Sequence, residues 1–221
     1  SICGGLNINI GTLNKNTIPS MFLAGKKANA LGHIVLLDPV GAGASRLRTD
    51  TANRLMQEVR FDAVRGNISE IKTLCTGSGS TKGVDADAVD AVTKANLDNG
   101  VQLVKTFAAQ TGCIIAVTGA IDLVSDGERC WCIRNGRAEM SRITGTGCQL
   151  SALMTAFLVA NPDRKLDAAA AAVCMMGLAG EIGWANMQPG DGNSTYRNRI
   201  IDAIFNMTGD ALEEGAKYEL R

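Results

Sequence analysis

Ile34-Val-Leu-Leu-Asp38-Pro-Val-Gly41-Ala-Gly43-Ala44 is the stretch on which the fold turns. Four apolar residues in a row, bounded by Gly32 and Pro39, read as a strand buried on both faces. That pattern belongs to a parallel sheet covered by helices on either side. Asp38 ends the run and a glycine-rich loop follows. The loop resembles a dinucleotide-binding turn only in part, because Gly41-x-Gly43-x-x-Arg46 puts arginine where a third glycine is required. A carboxylate at a strand end beside free glycine N–H groups suits Mg²⁺ and phosphate better. The plainer alternative for Asp38 is an Asx turn into Pro39.

Outward from this run, strands and helices alternate. Residues 6–10 alternate apolar and polar, as a strand does. Helical spacing covers 18–31, stopped by Gly32, and a helix is predicted over 49–58. A short strand is expected over 61–65, one or two helices over 87–110 with a weak point at Asn99-Gly100, and a second doubly buried strand at 114–117. Short antiparallel strands with turns at Asp126-Gly127 and Asn135-Gly136 fill 122–137. Helices are then predicted over 149–159, 166–187, 194–207 and 210–220. Strands alternating with helices imply βαβ units and a mainly parallel sheet. With no repeat and no dividing linker, residues 1–221 read as one α/β domain.

Three further loops fall where such a sheet binds ligands, beyond the carboxyl ends of its strands. In Arg65-Gly-Asn67-Ile-Ser-Glu70, arginine can fork onto phosphate oxygens. Asn67 and Glu70 share a face if a helix begins there, which lets the glutamate reach Mg²⁺ through water; a capping box is the plain alternative. Val117-Thr118-Gly-Ala-Ile-Asp122 offers a hydroxyl and a glycine N–H. In Arg142-Ile-Thr-Gly145-Thr146-Gly147-Cys148, a β-favouring segment runs through a glycine turn into an apolar helix. Free N–H donors and the positive end of the helix dipole meet there, a setting for an anion and above all a phosphate. A tight turn is the bland reading of each loop taken singly; four such loops on one sheet edge favour a phosphate site. No Gly-x-x-x-x-Gly-Lys-Ser/Thr occurs, so the chain is not a P-loop protein.

Composition excludes several other classes. Basic and acidic residues balance at 22 each, so there is no electrostatic footprint for nucleic acid and no polybasic membrane patch. No apolar run in the sequence suggests a transmembrane helix, and the start carries no secretory pattern. Seven scattered cysteines read as reduced and cytoplasmic, with Cys130 and Cys132 as packing on one strand face. The single histidine, His33, reads as a turn residue, and His-based triads are not expected.

Taken in order, Asp38-Pro-Val-Gly-Ala-Gly-Ala44, Arg65-Gly-Asn-Ile-Ser-Glu70, Lys82-Gly-Val-Asp85, Val117-Thr-Gly-Ala-Ile-Asp122, Ser125-Asp-Gly127 and Thr144-Gly-Thr-Gly-Cys148 resemble the hydroxyethylthiazole kinases of the ribokinase-like superfamily. The resemblance spans essentially the whole chain. It implies a ribokinase-like α/β fold with a mostly parallel sheet, and ATP- and Mg²⁺-dependent phosphorylation of 4-methyl-5-(2-hydroxyethyl)thiazole in thiamine biosynthesis or salvage. Carried over by motif, Arg65 and Thr118 contact ATP, with Asp38 and Asn67 beside them. Asp38 and Glu70 serve Mg²⁺. Gly145, Thr146, Gly147 and Cys148 form the anion hole for the γ-phosphate, and Gly145 also lines the thiazole site.

Superfamily members usually end that hole in an aspartate base; here, as in this family, the residue is Cys148. A thiolate at a helix N-terminus is stabilised electrostatically. Phosphoryl transfer, however, is mostly positioning and charge stabilisation, so Cys148 is expected to assist without being indispensable. The resemblance further implies a cytoplasmic homotrimer with active sites between subunits, and a preceding helix and first strand absent from the 221 residues. Two rivals stand beside it. A hydroxymethylpyrimidine (phosphate) kinase also ends in Gly-Thr-Gly-Cys, although its loop after Asp-Pro differs. The other is a catalytically idle binding protein.

Overall fold

A computed structural model describes residues 2–76, 92–93 and 95–221. The Lys82-Gly-Val-Asp85 motif and the first residues of the helix expected over 87–110 lie outside the described residues.

Among the described residues, seven strands form one sheet in sequence order: β1 (Gly5–Asn9), β2 (Ile34–Asp38), β3 (Ala63–Asn67), β4 (Ile114–Thr118), β5 (Asp122–Ser125), β6 (Cys130–Ile133) and β7 (Tyr218–Leu220). The first four are parallel and the last three antiparallel. Parallel neighbours need crossovers, and successive right-handed crossovers advancing in one direction land on one face. Accordingly α1 (Thr17–Ala30), α2 (Arg46–Glu58), α3 (Ile68–Thr76) and α4 (Leu97–Thr111) share one core with that face. The other face is covered by α5 (Thr146–Ala160), α6 (Lys165–Ala185) and α7 (Asn193–Asn206), with α8 (Gly209–Gly215) at its rim.

The apolar run of β2 is divided between the two cores. Val35 and Leu37 enter the α1–α4 side, and Ile34 and Leu36 the α5–α7 side. β4 does the same with Ile115 and Val117 against Ile114 and Ala116. Cys130 and Cys132 point together into the first core, as the two-residue strand period requires. No metal-binding cluster exists among the described residues.

Several boundaries differ from those read in the sequence. β3 begins two residues later than expected and runs on to Asn67, so Arg65 stands in mid-strand and not at its end. Phe61 and Asp62 serve instead as its lead-in, where the Asp62 N–H donates to Val35 O at 2.8 Å. Gly100 does not break α4, because it is buried where α4 meets Leu123 and Val92 and a Cβ would crowd both. The helix expected over 210–220 ends at Gly215, and Tyr218–Leu220 pairs antiparallel with β6. The unpaired edge of β6 and an edge-on ring contact between Trp131 and Tyr218, 5.1 Å between centroids, outweigh helical propensity there. Among the described residues one helical stretch, Pro162–Ala185, is long and apolar enough by length and composition to cross a membrane, contrary to the sequence reading. It is mostly buried here, as the central helix of a core passes the same test.

Candidate active site

The predicted site residues converge at the carboxyl edge of the sheet, as a parallel sheet directs. Asp38 ends β2 and is fully buried. Its Oδ2 accepts from Asn9 Nδ2 and Ser151 Oγ, each at 2.9 Å, so the Asx-turn alternative does not hold. Its Oδ1 is buried without a hydrogen-bond partner and lies 3.9 Å from Arg65 Nη1. Burial raises the Asp38 pKa above the ordinary carboxylate value, while Arg65 and hydrogen bonding from Ser151, Asn9 and Cys148 pull the other way.

Arg65 spans the centre of the site. Its Nη2 donates to Thr118 Oγ1 at 2.6 Å, and its guanidinium lies directly over Gly147. A Cβ on Gly147 would fall 2.5 Å from Arg65 Nη1. Gly147→Ala is therefore expected to displace the guanidinium and cost the Thr118 contact. Because the displaced group is the free end of a side chain, the melting temperature should barely move while the KM for ATP rises about tenfold, on the scale of one lost charge-assisted bond. Steady-state kinetics beside a thermal melt check this.

Asn67 and Glu70 form the capping box at the start of α3. Glu70 N–H donates to Asn67 Oδ1 and Asn67 N–H to Glu70 Oε2, both at 2.8 Å. Glu70 Oε1 takes the Gly41 N–H at 2.7 Å, tying the β2 loop to α3. The capping alternative is thus the one observed. Burial raises the Glu70 pKa, opposed by the Gly41 and Asn67 backbone donors.

The Gly145–Cys148 turn opens α5, but its approach is not the expected strand. A 3-10 turn, Ala138–Arg142, leads into it. Gly145 adopts φ 95°, a left-handed conformation that glycine accepts without strain. The first intrahelical bond runs from Gln149 N–H to Gly145 O at 2.9 Å. The N–H groups of Thr146, Gly147 and Cys148 thus have no intrahelical acceptor, at a helix start that lies against the Arg65 guanidinium. Donors, helix dipole and guanidinium together make a place for an anion.

Beside this turn, where the sheet changes from parallel to antiparallel, lies a cavity of about 840 Å³. Arg65, Thr118, Asp122, Asn135, Arg137 and Gly147 contribute to its wall. A larger concavity, about 980 Å³, opens near Phe61 and Cys113 at the opposite edge and holds none of the predicted site residues.

Asp122 carries a pKa raised to about 7, because burial outweighs the Gly119 N–H and the Arg65 charge. Between about pH 4 and 7 the folded state therefore holds a proton that the unfolded chain has released, and stability falls as pH rises through that window. Asp122→Asn should remove this slope. Its melting temperature is expected to match the wild type near pH 4 and exceed it at pH 8, and paired thermal melts across pH test the sign.

Neither of the two donors to Asp38 Oδ2 was singled out in the sequence, nor was Arg137 of the cavity wall. Ser151 was hidden in an apolar helix, and Asn9 in an alternating strand. The available signal was position: Asn9 is the last polar residue before Gly11 at a strand's carboxyl end.

A mixed α/β sheet, parallel over β1–β4, with a glycine turn at a helix N-terminus, an arginine above it and a buried carboxylate beside it is the arrangement of a ribokinase-like phosphotransferase. The fold of a pyridoxal kinase from Staphylococcus aureus agrees, with a TM-score of 0.61 at 15% identity over 99% of this chain and 72% of that one. The hydroxyethylthiazole kinase family model matches residues 1–210. A hydroxyethylthiazole kinase of Clostridium acetobutylicum is 55% identical over 219 residues, covering 99% of this chain and 80% of the relative. Another, from Clostridium beijerinckii, is 44% identical over 99% of this chain and 78% of its own length. The solved hydroxyethylthiazole kinase structure from Pyrococcus horikoshii superposes with a TM-score of 0.85 at 29% identity, covering all of this chain and 78% of that one. The chain belongs to the hydroxyethylthiazole kinase family and is a kinase.

Proposed function

We propose that the protein transfers the γ-phosphoryl group of ATP to the hydroxyl of 4-methyl-5-(2-hydroxyethyl)thiazole, giving its monophosphate for thiamine biosynthesis or salvage. The observation that carries this reading is the Arg65 guanidinium lying over the Gly145–Cys148 helix start, between a roomy cavity and a buried carboxylate. The cavity on the Thr118 side takes the nucleotide, with Arg65 and Thr118 toward its phosphates. The Cys148 side, exposed and bordered by Asn9, takes the acceptor alcohol beside Gly145. The hydroxyl oxygen forms a bond to the γ-phosphorus as the bond to the ADP oxygen breaks. Charge on the transferred group is met by the Thr146, Gly147 and Cys148 N–H groups and by Arg65. The hydroxyl proton passes to Cys148 Sγ or to water, so Cys148 assists the step without carrying it.

Mg²⁺ fits the residues present. Asp38 Oδ1 is a hard, buried oxygen with no hydrogen-bond partner, which suits a hard cation. Asp38 would hold the ion directly. Glu70, whose oxygens already accept Gly41 and Asn67 N–H groups, would reach it only through water. When bound, the ion supplies charge neutralisation on the phosphate oxygens. Seven free cysteines support a cytoplasmic setting. The family resemblance supports a homotrimer with sites between subunits, and exposed Ile201 and Phe205 on α7 offer apolar surface to a neighbour.

ADP release measured side by side separates the readings. The thiazole alcohol should drive turnover, and the hydroxymethylpyrimidine alcohol should not. Preference for the pyrimidine would assign the protein to the sister kinase, and no acceptor-dependent ADP release would mark an idle binder.

A further inference from the structure

We infer that Asn9, at the end of β1, is a positioning residue that holds the Cys148 sulfur in place for phosphoryl transfer. The inference rests on the kinase reading above. Asn9 and Asp38 are register partners on adjacent parallel strands, so their side chains leave the sheet on the same face. That face lies beneath α5, where Cys148 and Ser151 are three residues apart and share a side of the helix.

One carboxamide joins these elements. Asn9 Oδ1 accepts the Gly11 N–H at 2.8 Å, which fixes which end of the amide carries the hydrogens. Both hydrogens are then committed. Asn9 Nδ2 donates to Asp38 Oδ2 at 2.9 Å and to Cys148 Sγ at 3.1 Å. Ser151 Oγ takes the other approach to Asp38 Oδ2 at 2.9 Å.

The consequence is geometric. Cys148 is exposed, and an exposed thiol on the first turn of a helix otherwise samples several rotamers. A donor on one side of the sulfur restrains it to one of them. The same donor orders Asp38 so that Oδ2 is occupied and Oδ1 stays free. Asn9 thereby sets the spacing between the sulfur on the acceptor side and the carboxylate on the phosphate side. It touches neither substrate in this role.

A double-mutant cycle tests the assignment with two independent readouts. Asn9→Ser keeps a hydroxyl acceptor for the Gly11 N–H, adds no charge beside Asp38, and is too short to donate to Asp38 and Cys148 together, so the turn survives while the restraint is lost. In steady-state kinetics with the thiazole alcohol, Asn9→Ser and Asn9→Ala should each lower kcat roughly 10- to 100-fold, the scale of a misplaced reacting group, with KM for the acceptor moved less than about threefold. In a Cys148→Ala background the same substitutions should cost less than a third of that factor. In thermal melts, the Tm losses of Asn9→Ala and Cys148→Ala should exceed that of the double variant by about 2 °C, as for groups in contact. An equal kcat loss in both backgrounds would overturn the positioning role, and so would additive Tm losses. If the wild type fails to turn over the thiazole alcohol, the kinase reading falls, while the Tm cycle still decides whether Asn9 holds the sulfur.

Discussion

Asp38→Asn is expected to fold at least as stably as the wild type and to turn over roughly a thousandfold more slowly, on the scale of one lost charge-stabilising group. The two halves of this expectation have one cause. Asp38 is fully buried, and burial raises its pKa despite the nearby Arg65 charge and the Ser151 and Asn9 donors. An acid whose folded pKa is raised destabilises the protein at every pH above its unfolded value, so removing the charge relieves a penalty. Asparagine keeps an oxygen in place for the Asn9 and Ser151 donors. What it loses is the anionic Oδ1, the buried atom left without a hydrogen-bond partner, 3.9 Å from Arg65 Nη1. Strain of this kind at a functional carboxylate is the usual trade of stability for activity. A thermal melt and a turnover assay on one preparation check both halves.

Gly177→Ala should act in the opposite way, damaging the fold first. Gly177 lies on α6 where the helix passes the turn after β6. A Cβ there would come within 2.7 Å of the Asn135 carbonyl carbon and within 2.8 Å of its oxygen. Asn135 has little room to yield. Its Nδ2 donates to Gly215 O at 2.9 Å and its Oδ1 accepts the Lys217 N–H at 2.7 Å, pinning the approach to β7. Overpacking against fixed backbone costs about 3 kcal/mol, and alanine regains about 1 kcal/mol of helix propensity. The net loss of about 2 kcal/mol corresponds to a fall of roughly 4–8 °C in melting temperature for a domain of this size. Gly177 and Asn135 also border the cavity proposed above for the nucleotide, so a weaker hold on ATP should accompany the lower melting point.

The parts of the fold legible in the sequence were those fixed by local pattern. The doubly apolar run at 34–37 announced a covered parallel strand, and the glycines at 145 and 147 announced a helix start suited to an anion. Arg65, Thr118 and Asp38 are brought together as their loops suggested. What escaped was decided by distant partners. Residues 218–220 read as helix because nothing local reveals that β6 lacks a neighbour. The segment before Gly145 read as a strand, although it enters the helix through a 3-10 turn. Glu70 reads equally as a metal ligand or a cap, and only the Gly41 N–H, 29 residues away, shows how firmly its carboxylate is committed to backbone. Asn9 and Ser151 carry no motif of their own; they matter because β1 and α5 close over Asp38.

The central claim is that the Gly145–Cys148 turn and Arg65 together receive the γ-phosphate. A co-crystal structure with Mg²⁺ and a non-hydrolysable ATP analogue tests it most directly. The γ-phosphate oxygens are expected within hydrogen-bonding distance of the Thr146–Cys148 backbone N–H groups and of the Arg65 guanidinium, with the nucleotide running into the cavity past Thr118. A γ-phosphate seated away from this helix start, with those N–H groups facing only water, would contradict the account.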